Sequence, residues 1–112
     1  MRPALRQAIE AEFRQARLAE AGGRAGEAFA HFERAHILSQ RFTWLHVRSH
    51  LGMWAWAWRH RQPRELFGQT TRILAAALFS KIWVPEGNTG GANVSALRTM
   101  PIPADLRDIL SR

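Results

Sequence analysis

Cysteine is absent from the 112 residues, and that gap removes disulfides, thiolate metal sites and a cysteine nucleophile. Histidine and carboxylate are left as the good metal-binding side chains. Lysine is almost absent too. Lys81 is the only one, so the formal charge of +7, from 16 Lys+Arg against 9 Asp+Glu, is an arginine charge. Such a surface can track phosphate, but it also follows from high-GC coding, so nucleic-acid binding stands as the weaker alternative. Long apolar runs are missing as well. The longest, Ile73 to Phe79, falls far short of the roughly 20 residues that span a bilayer. The opening Met1-Arg2-Pro3-Ala4-Leu5-Arg6-Gln7 lacks an apolar signal core. A cytoplasmic protein with no membrane crossing is the expectation. There is no low-complexity linker, and with 46% hydrophobic residues a chain of this length supports one domain and one core.

What is present is helical periodicity. Leu5, Ile9, Phe13 and Ala16 recur at three to four residues, which predicts an amphipathic helix over 3–21 ended by Gly22-Gly23. A second helix over 26–40 carries Ala28, Phe29, Phe32, Ala35 and His36 inward. The text from Leu18 to Ala35, with its small residues and Phe29, resembles the tetratricopeptide-type helical hairpin. Only one such unit is legible, so hairpin geometry is inferred and a peptide-binding superhelix is not. Thr43 is placed as N-cap of a third helix over 44–61, which carries Trp44, Trp54, Trp56 and Trp58. Pro63 suits the first turn of a fourth helix over 63–81, with Leu66, Phe67, Thr70, Ile73, Leu74, Ala77 and Leu78 facing inward. A loop over 85–103 and a short helix over 104–110 complete an all-α domain, read as four antiparallel helices with tetratricopeptide-like hairpins plus an ordered Gly/Asn loop.

The chemistry gathers between Phe32 and Met53. Glu33 precedes His36 by three residues, and His46 precedes His50 by four, spacings that put each pair on one helix face. If helices 2 and 3 turn at Phe42, a rise of 1.5 Å per residue puts His36 about 9 Å and His46 about 6 Å from the turn, with Glu33 about 14 Å and His50 about 12 Å from it. The depths match. One carboxylate and three imidazoles suit zinc, iron, manganese or copper better than calcium or magnesium. Glu12 is a candidate further ligand or acceptor behind the ligands, and Gln40 is placed to orient His36. His31 is expected in solvent and His60 as a helix-terminal cation or surface group. A core polar network of Glu33, His36 and His50 is the structural alternative.

The run Gly87-Asn88-Thr89-Gly90-Gly91-Ala92-Asn93-Val94-Ser95 invites a phosphate cradle, but it lacks the Gly-Lys-Ser/Thr of a P-loop and the strand of a dinucleotide fingerprint. Asn88 and Asn93 are instead expected to bond exposed backbone and close the mouth of the helical site. This run, with Phe32-Glu33-Arg34-Ala35-His36, with His46-Val47-Arg48 and His50, and with Met100-Pro101-Ile102-Pro103, resembles a family of small bacterial proteins that carry a domain of unknown function. The resemblance covers nearly the whole chain. It implies bacterial origin and, for some members, a genomic setting near heavy-metal resistance functions, which favours a metal. It implies no activity and no catalytic residue.

The leading expectation is therefore a transition-metal site at Glu33, His36, His46 and His50, in a sensor, a buffer or a small metalloenzyme. Against it stands a non-catalytic interaction module in which the histidines only order the core. One bundle face cannot bury four tryptophans of helix 3, so a homodimer through that helix is expected.

Overall fold

The boundaries of the helices are set by a few backbone features. In the computed structural model, which describes residues 1–78, 90 and 99–112, the helices are α1 (Pro3–Ala21), α2 (Ala25–Ser39), α3 (Thr43–Arg59), α4 (Pro63–Leu78) and α5 (Ala104–Ser111). No strand occurs among the described residues. Gly23, at φ +77°, ends α1. Its amide donates to the Glu20 carbonyl and the Arg24 amide to the Ala19 carbonyl, at 3.0 and 2.8 Å, the paired bonds of a Schellman cap. The same cap ends α3, where the Arg61 amide donates to the Trp58 carbonyl and the Gln62 amide to the Ala57 carbonyl. There the left-handed position is held by Arg61 at φ +52°, a conformation that costs an ordinary residue about 1–2 kcal/mol.

From α1 to α4 each helix packs on the next along the chain, and α5 returns to α1 and α2. Leu5, Ile9, Phe13 and Ala16 of α1 meet Phe32, Ala35 and Leu38 of α2, Leu45 and Met53 of α3 and Leu106 of α5. Ile9, Leu38, Met53 and Leu106 are fully buried, each contributing about 1.5–3 kcal/mol of transfer free energy as an upper bound. Ion pairs reach over this core from α3 to α1: Arg48 to Glu10 at 2.6 Å, and Arg59 to Glu20 at 2.5 Å. Arg48 also lies 4.2 Å above the Phe13 ring, so its stem and charge both serve the packing. Between α2 and α3 the approach is close. A methyl group on Gly52 would stand 2.6 Å from the Phe32 ring.

Three expectations need correction. Thr43 is the first helical residue and not the cap; the extended Phe42 (φ −121°) occupies that position and makes no side-chain cap bond. The inward face of α4 is not the apolar stripe read from the sequence. Phe67, Thr70 and Leu74 are exposed and Leu66 and Ile73 half-buried, while the fully buried side chain among those described on α4 is Gln69; the side chains of Ala77 and Leu78 lie outside the described residues. The reason is that α4 meets a polar side chain of α3, His50, and the helix turns its one matching amide toward it. His31 is not in open solvent either, as its ring is held by Glu12. Residues 79–81 of the expected fourth helix, and Asn88 and Asn93 of the expected lid, lie outside the described residues.

Candidate metal centre

His36 comes from the last turn of α2 and His46 and His50 from consecutive turns of α3. Their rings form a nearly equilateral triangle, with centroids 4.7, 4.7 and 4.8 Å apart. The Nε2 atoms point inward: His46 Nε2 lies 2.9 Å from that of His36 and 3.1 Å from that of His50. His36 and His50 are only 2% and 4% exposed, while His46 is half-buried. Among the described residues, the ligand atoms of these three form a group within 4.8 Å of one another.

The protonation pattern follows from the residue behind the cluster. The Gln69 amide nitrogen donates to the Gly90 carbonyl and to Glu65 Oε2, both at 2.7 Å. A carbonyl and a carboxylate only accept, so the amide orientation is determined and Oε1 faces His50 Nδ1 at 2.6 Å. His50 Nδ1 therefore carries the proton. In the neutral ring, Nε2 is then a bare lone pair aimed at the other two imidazoles. Burial holds the pKa of His46 down to about 4; it does the same for His50, reinforced by His46 and Arg72 and opposed by the Gln69 bond. Both rings are neutral at pH 7.

Gly90 closes the cluster over His36. It is buried, sits at φ +81°, and a methyl group on it would lie 2.6–2.8 Å from three atoms of the His36 ring. Glycine is required there twice, for the backbone angle and for the contact.

The remaining expected residues fall in four places. Glu33 is half-buried one turn before His36 and is not among the side chains whose ligand atoms meet within 4.8 Å. Glu12 stands elsewhere, accepting from His31 Nδ1 at 2.7 Å and Arg34 Nε at 2.9 Å, while Arg34 reaches on to Asp105 of α5. That carboxylate ties three helices together and is not behind the histidines. Gln40 is the C-cap residue of α2 and lines a cavity with Leu5, Phe42 and Ile102. His60 ends α3 as expected, its ring 3.0 Å from a Glu20 oxygen. Sequence reasoning missed Gln69. Its signal was slight, one amide among the Arg, Glu and Thr residues that α4 also carries, nineteen residues from His50.

The fold and site define an all-α domain built around a buried three-histidine cluster. The chain belongs to a family of proteins of unknown function, DUF3703, whose family model matches residues 3–110. No curated protein and no solved structure matches it.

Proposed function

We propose that the protein binds a transition metal ion through Nε2 of His36, His46 and His50, as a sensor or buffer. The observation that carries this reading is the protonated Nδ1 of His50, fastened by Gln69, which turns a bare Nε2 into a space shared with two other imidazole nitrogens. The His46 contacts of 2.9 and 3.1 Å are hydrogen-bond lengths that need one shared N–H; a cation entering the cluster shifts that proton to the ring's other nitrogen and engages all three lone pairs. Nitrogens on one tetrahedral Zn²⁺ stand about 3.3 Å apart, given Zn–N bonds of about 2.0–2.1 Å. The separations of 2.9 and 3.1 Å are a few tenths short of that, so small ring movements admit the ion.

An all-imidazole set favours zinc or copper over manganese, calcium or magnesium. Three protein ligands leave a fourth position, and Glu33 is the side chain to test for it. The burial of His36 and His50 leaves little room for a substrate beside the ion, which supports holding over catalysis. The bacterial origin and metal-resistance setting implied by the resemblance agree with that role.

Elemental analysis of protein purified without an affinity tag decides the matter, repeated on a His46→Ala/His50→Ala variant. About one metal per chain in the wild type, lost in the variant, is the expected result. A metal-free wild type that stays metal-free on titration with Zn²⁺, Fe²⁺ and Cu²⁺ defeats the proposal. Glu33→Gln keeps full stoichiometry if the fourth position is open, and loses affinity if Glu33 fills it.

A further inference from the structure

A second feature of the molecule is independent of the metal. On α3, Trp44, Leu51 and Trp58 are spaced by seven residues and are 69%, 41% and 65% exposed. They form one stripe about 21 Å long. On α4, Phe67 and Leu74, again seven apart, are 73% and 57% exposed. The Trp54 indole nitrogen donates to Thr70 Oγ1 at 3.0 Å. Trp54 lies beside the first stripe and Thr70 beside the second, so that bond is the seam joining them into one face. Trp54 and Trp58 stack at 5.9 Å and 18° on it. A continuous exposed apolar area of this size marks an interaction site.

The charge of this half of the chain identifies the partner's sign. From Arg41 to Leu78 there are six arginines and one carboxylate, Glu65, and Glu65 is turned to Gln69. Arg61, beside Trp58 and Leu66, and Arg64 are exposed and make no ion pair among the described residues, whereas Arg48 and Arg59 are paired with α1. A second copy would bring the same positive charge against itself. Single-stranded nucleic acid would use the indoles for stacking but has no use for Leu51 and Leu74 in the same plane. Indole, phenyl and leucine side chains on one face, rimmed by arginine, match the interface of an anionic bilayer, where apolar groups enter the acyl boundary and guanidinium groups meet phosphate. We infer that the α3–α4 face docks on anionic lipid surfaces. The protein lies on the bilayer and does not cross it, since no described helix is long and apolar enough to do so.

The test mixes the full chain with phosphatidylcholine vesicles, with and without phosphatidylglycerol, and reads co-sedimentation and tryptophan emission. Binding is expected only with phosphatidylglycerol, with a blue-shifted emission, and should weaken as salt is added. Arg61→Gln/Arg64→Gln should weaken partitioning roughly 10–30-fold, at about a factor of five per arginine. Trp58→Ser/Phe67→Ser should weaken it by ~10-fold or more. Leu18→Ser, an equally exposed position on α1, should change nothing. All of these positions are on the surface, and unchanged circular dichroism verifies the fold. The inference is overturned by equal binding to neutral vesicles, by no binding to either, or by face variants that bind like wild type. A lipid-free dimer made monomeric by Trp58→Ser/Phe67→Ser overturns it in favour of a second copy, and an oligothymidylate that displaces the vesicles through the same residues overturns it in favour of nucleic acid.

Discussion

Gln69→Leu is the most informative single substitution. The leucine has nearly the volume of the amide and suits a helix, so α4 should persist. What disappears is the junction of three bonds to His50, Glu65 and Gly90. Glu65 is half-buried and can turn to water, but the Gly90 carbonyl and His50 Nδ1–H lie in the interior. A buried donor without a partner costs about 1–3 kcal/mol, so the loss of the acceptor for His50 Nδ1–H alone should cost the apoprotein that amount. His50 is also released from its tautomer, and metal affinity should fall about 10–100-fold. Gln69→Glu separates geometry from charge. Its carboxylate still accepts from His50 Nδ1–H, but its second oxygen faces the Glu65 carboxylate and the Gly90 carbonyl, so the apoprotein is destabilised by like charge. Adding Glu65→Gln restores a donor to that oxygen and should recover part of the stability with tight metal binding. Chemical denaturation gives the stabilities, and competition with a chromophoric chelator gives the Zn²⁺ affinities. A Gln69→Leu protein with wild-type affinity and stability would refute the tautomer argument.

Three further outcomes follow from the same contacts. Gly90→Ala places a methyl group 2.6 Å from the His36 ring at φ +81°, and a loss of at least ~1–3 kcal/mol is expected, with weaker metal binding, measured by thermal unfolding with and without Zn²⁺. Arg61→Gly relieves the left-handed cap of α3 and should stabilise the protein by ~0.5–1 kcal/mol in urea denaturation, the strain removed being partly offset by the entropy of glycine in the unfolded chain. The pH dependence of the apoprotein has a definite sign. His46 and His50 have folded pKa values of about 4 against 6.5 in the unfolded chain, so the unfolded state binds more protons between those values. Stability is then full above pH 6.5 and is lost as pH falls toward 4, by up to ~3 kcal/mol per histidine. His46→Phe/His50→Phe should flatten that slope.

Much of the helical scaffold was legible because its signals are local. The four-residue recurrence from Leu5 to Ala16 corresponds to the buried face of α1, and Gly22-Gly23 terminates it through a backbone angle open to glycine. The second cap was harder to read for the opposite reason. Arg61 occupies a glycine position, so α3 ends at Arg59, two residues before the reading that ran the helix to Arg61. The inner face of α4 was misread for a different reason. Periodicity ranks residues by apolarity, and Phe67 and Leu74 outrank Gln69. The choice of face was decided by a tertiary hydrogen bond to His50, which no window of consecutive residues contains.

The candidate site shows the same division. Matching depths along two helices sufficed to bring His36, His46 and His50 together, since a rise per residue and one turn position determine axial height. Rotation about the helix axis is the coordinate that depth leaves open, and it is where Glu33 and Glu12 depart from expectation. Glu12, expected as a further ligand or an acceptor behind the ligands, is turned toward Arg34 and His31. An arginine and an imidazole on the same side of α2 outcompete a distant neutral cluster for a carboxylate. This division bears on the metal. With Glu12 committed to a cation of its own, the three-nitrogen group is neutral unless Glu33 joins it, and Glu65 touches the Gln69 amide behind it. A dication held this way keeps its charge, which favours either an incoming anion in the fourth position or the monovalent state of copper. Comparing chloride dependence for Zn²⁺ and Cu⁺ separates them: Zn²⁺ affinity should rise with chloride, and Cu⁺ affinity should not.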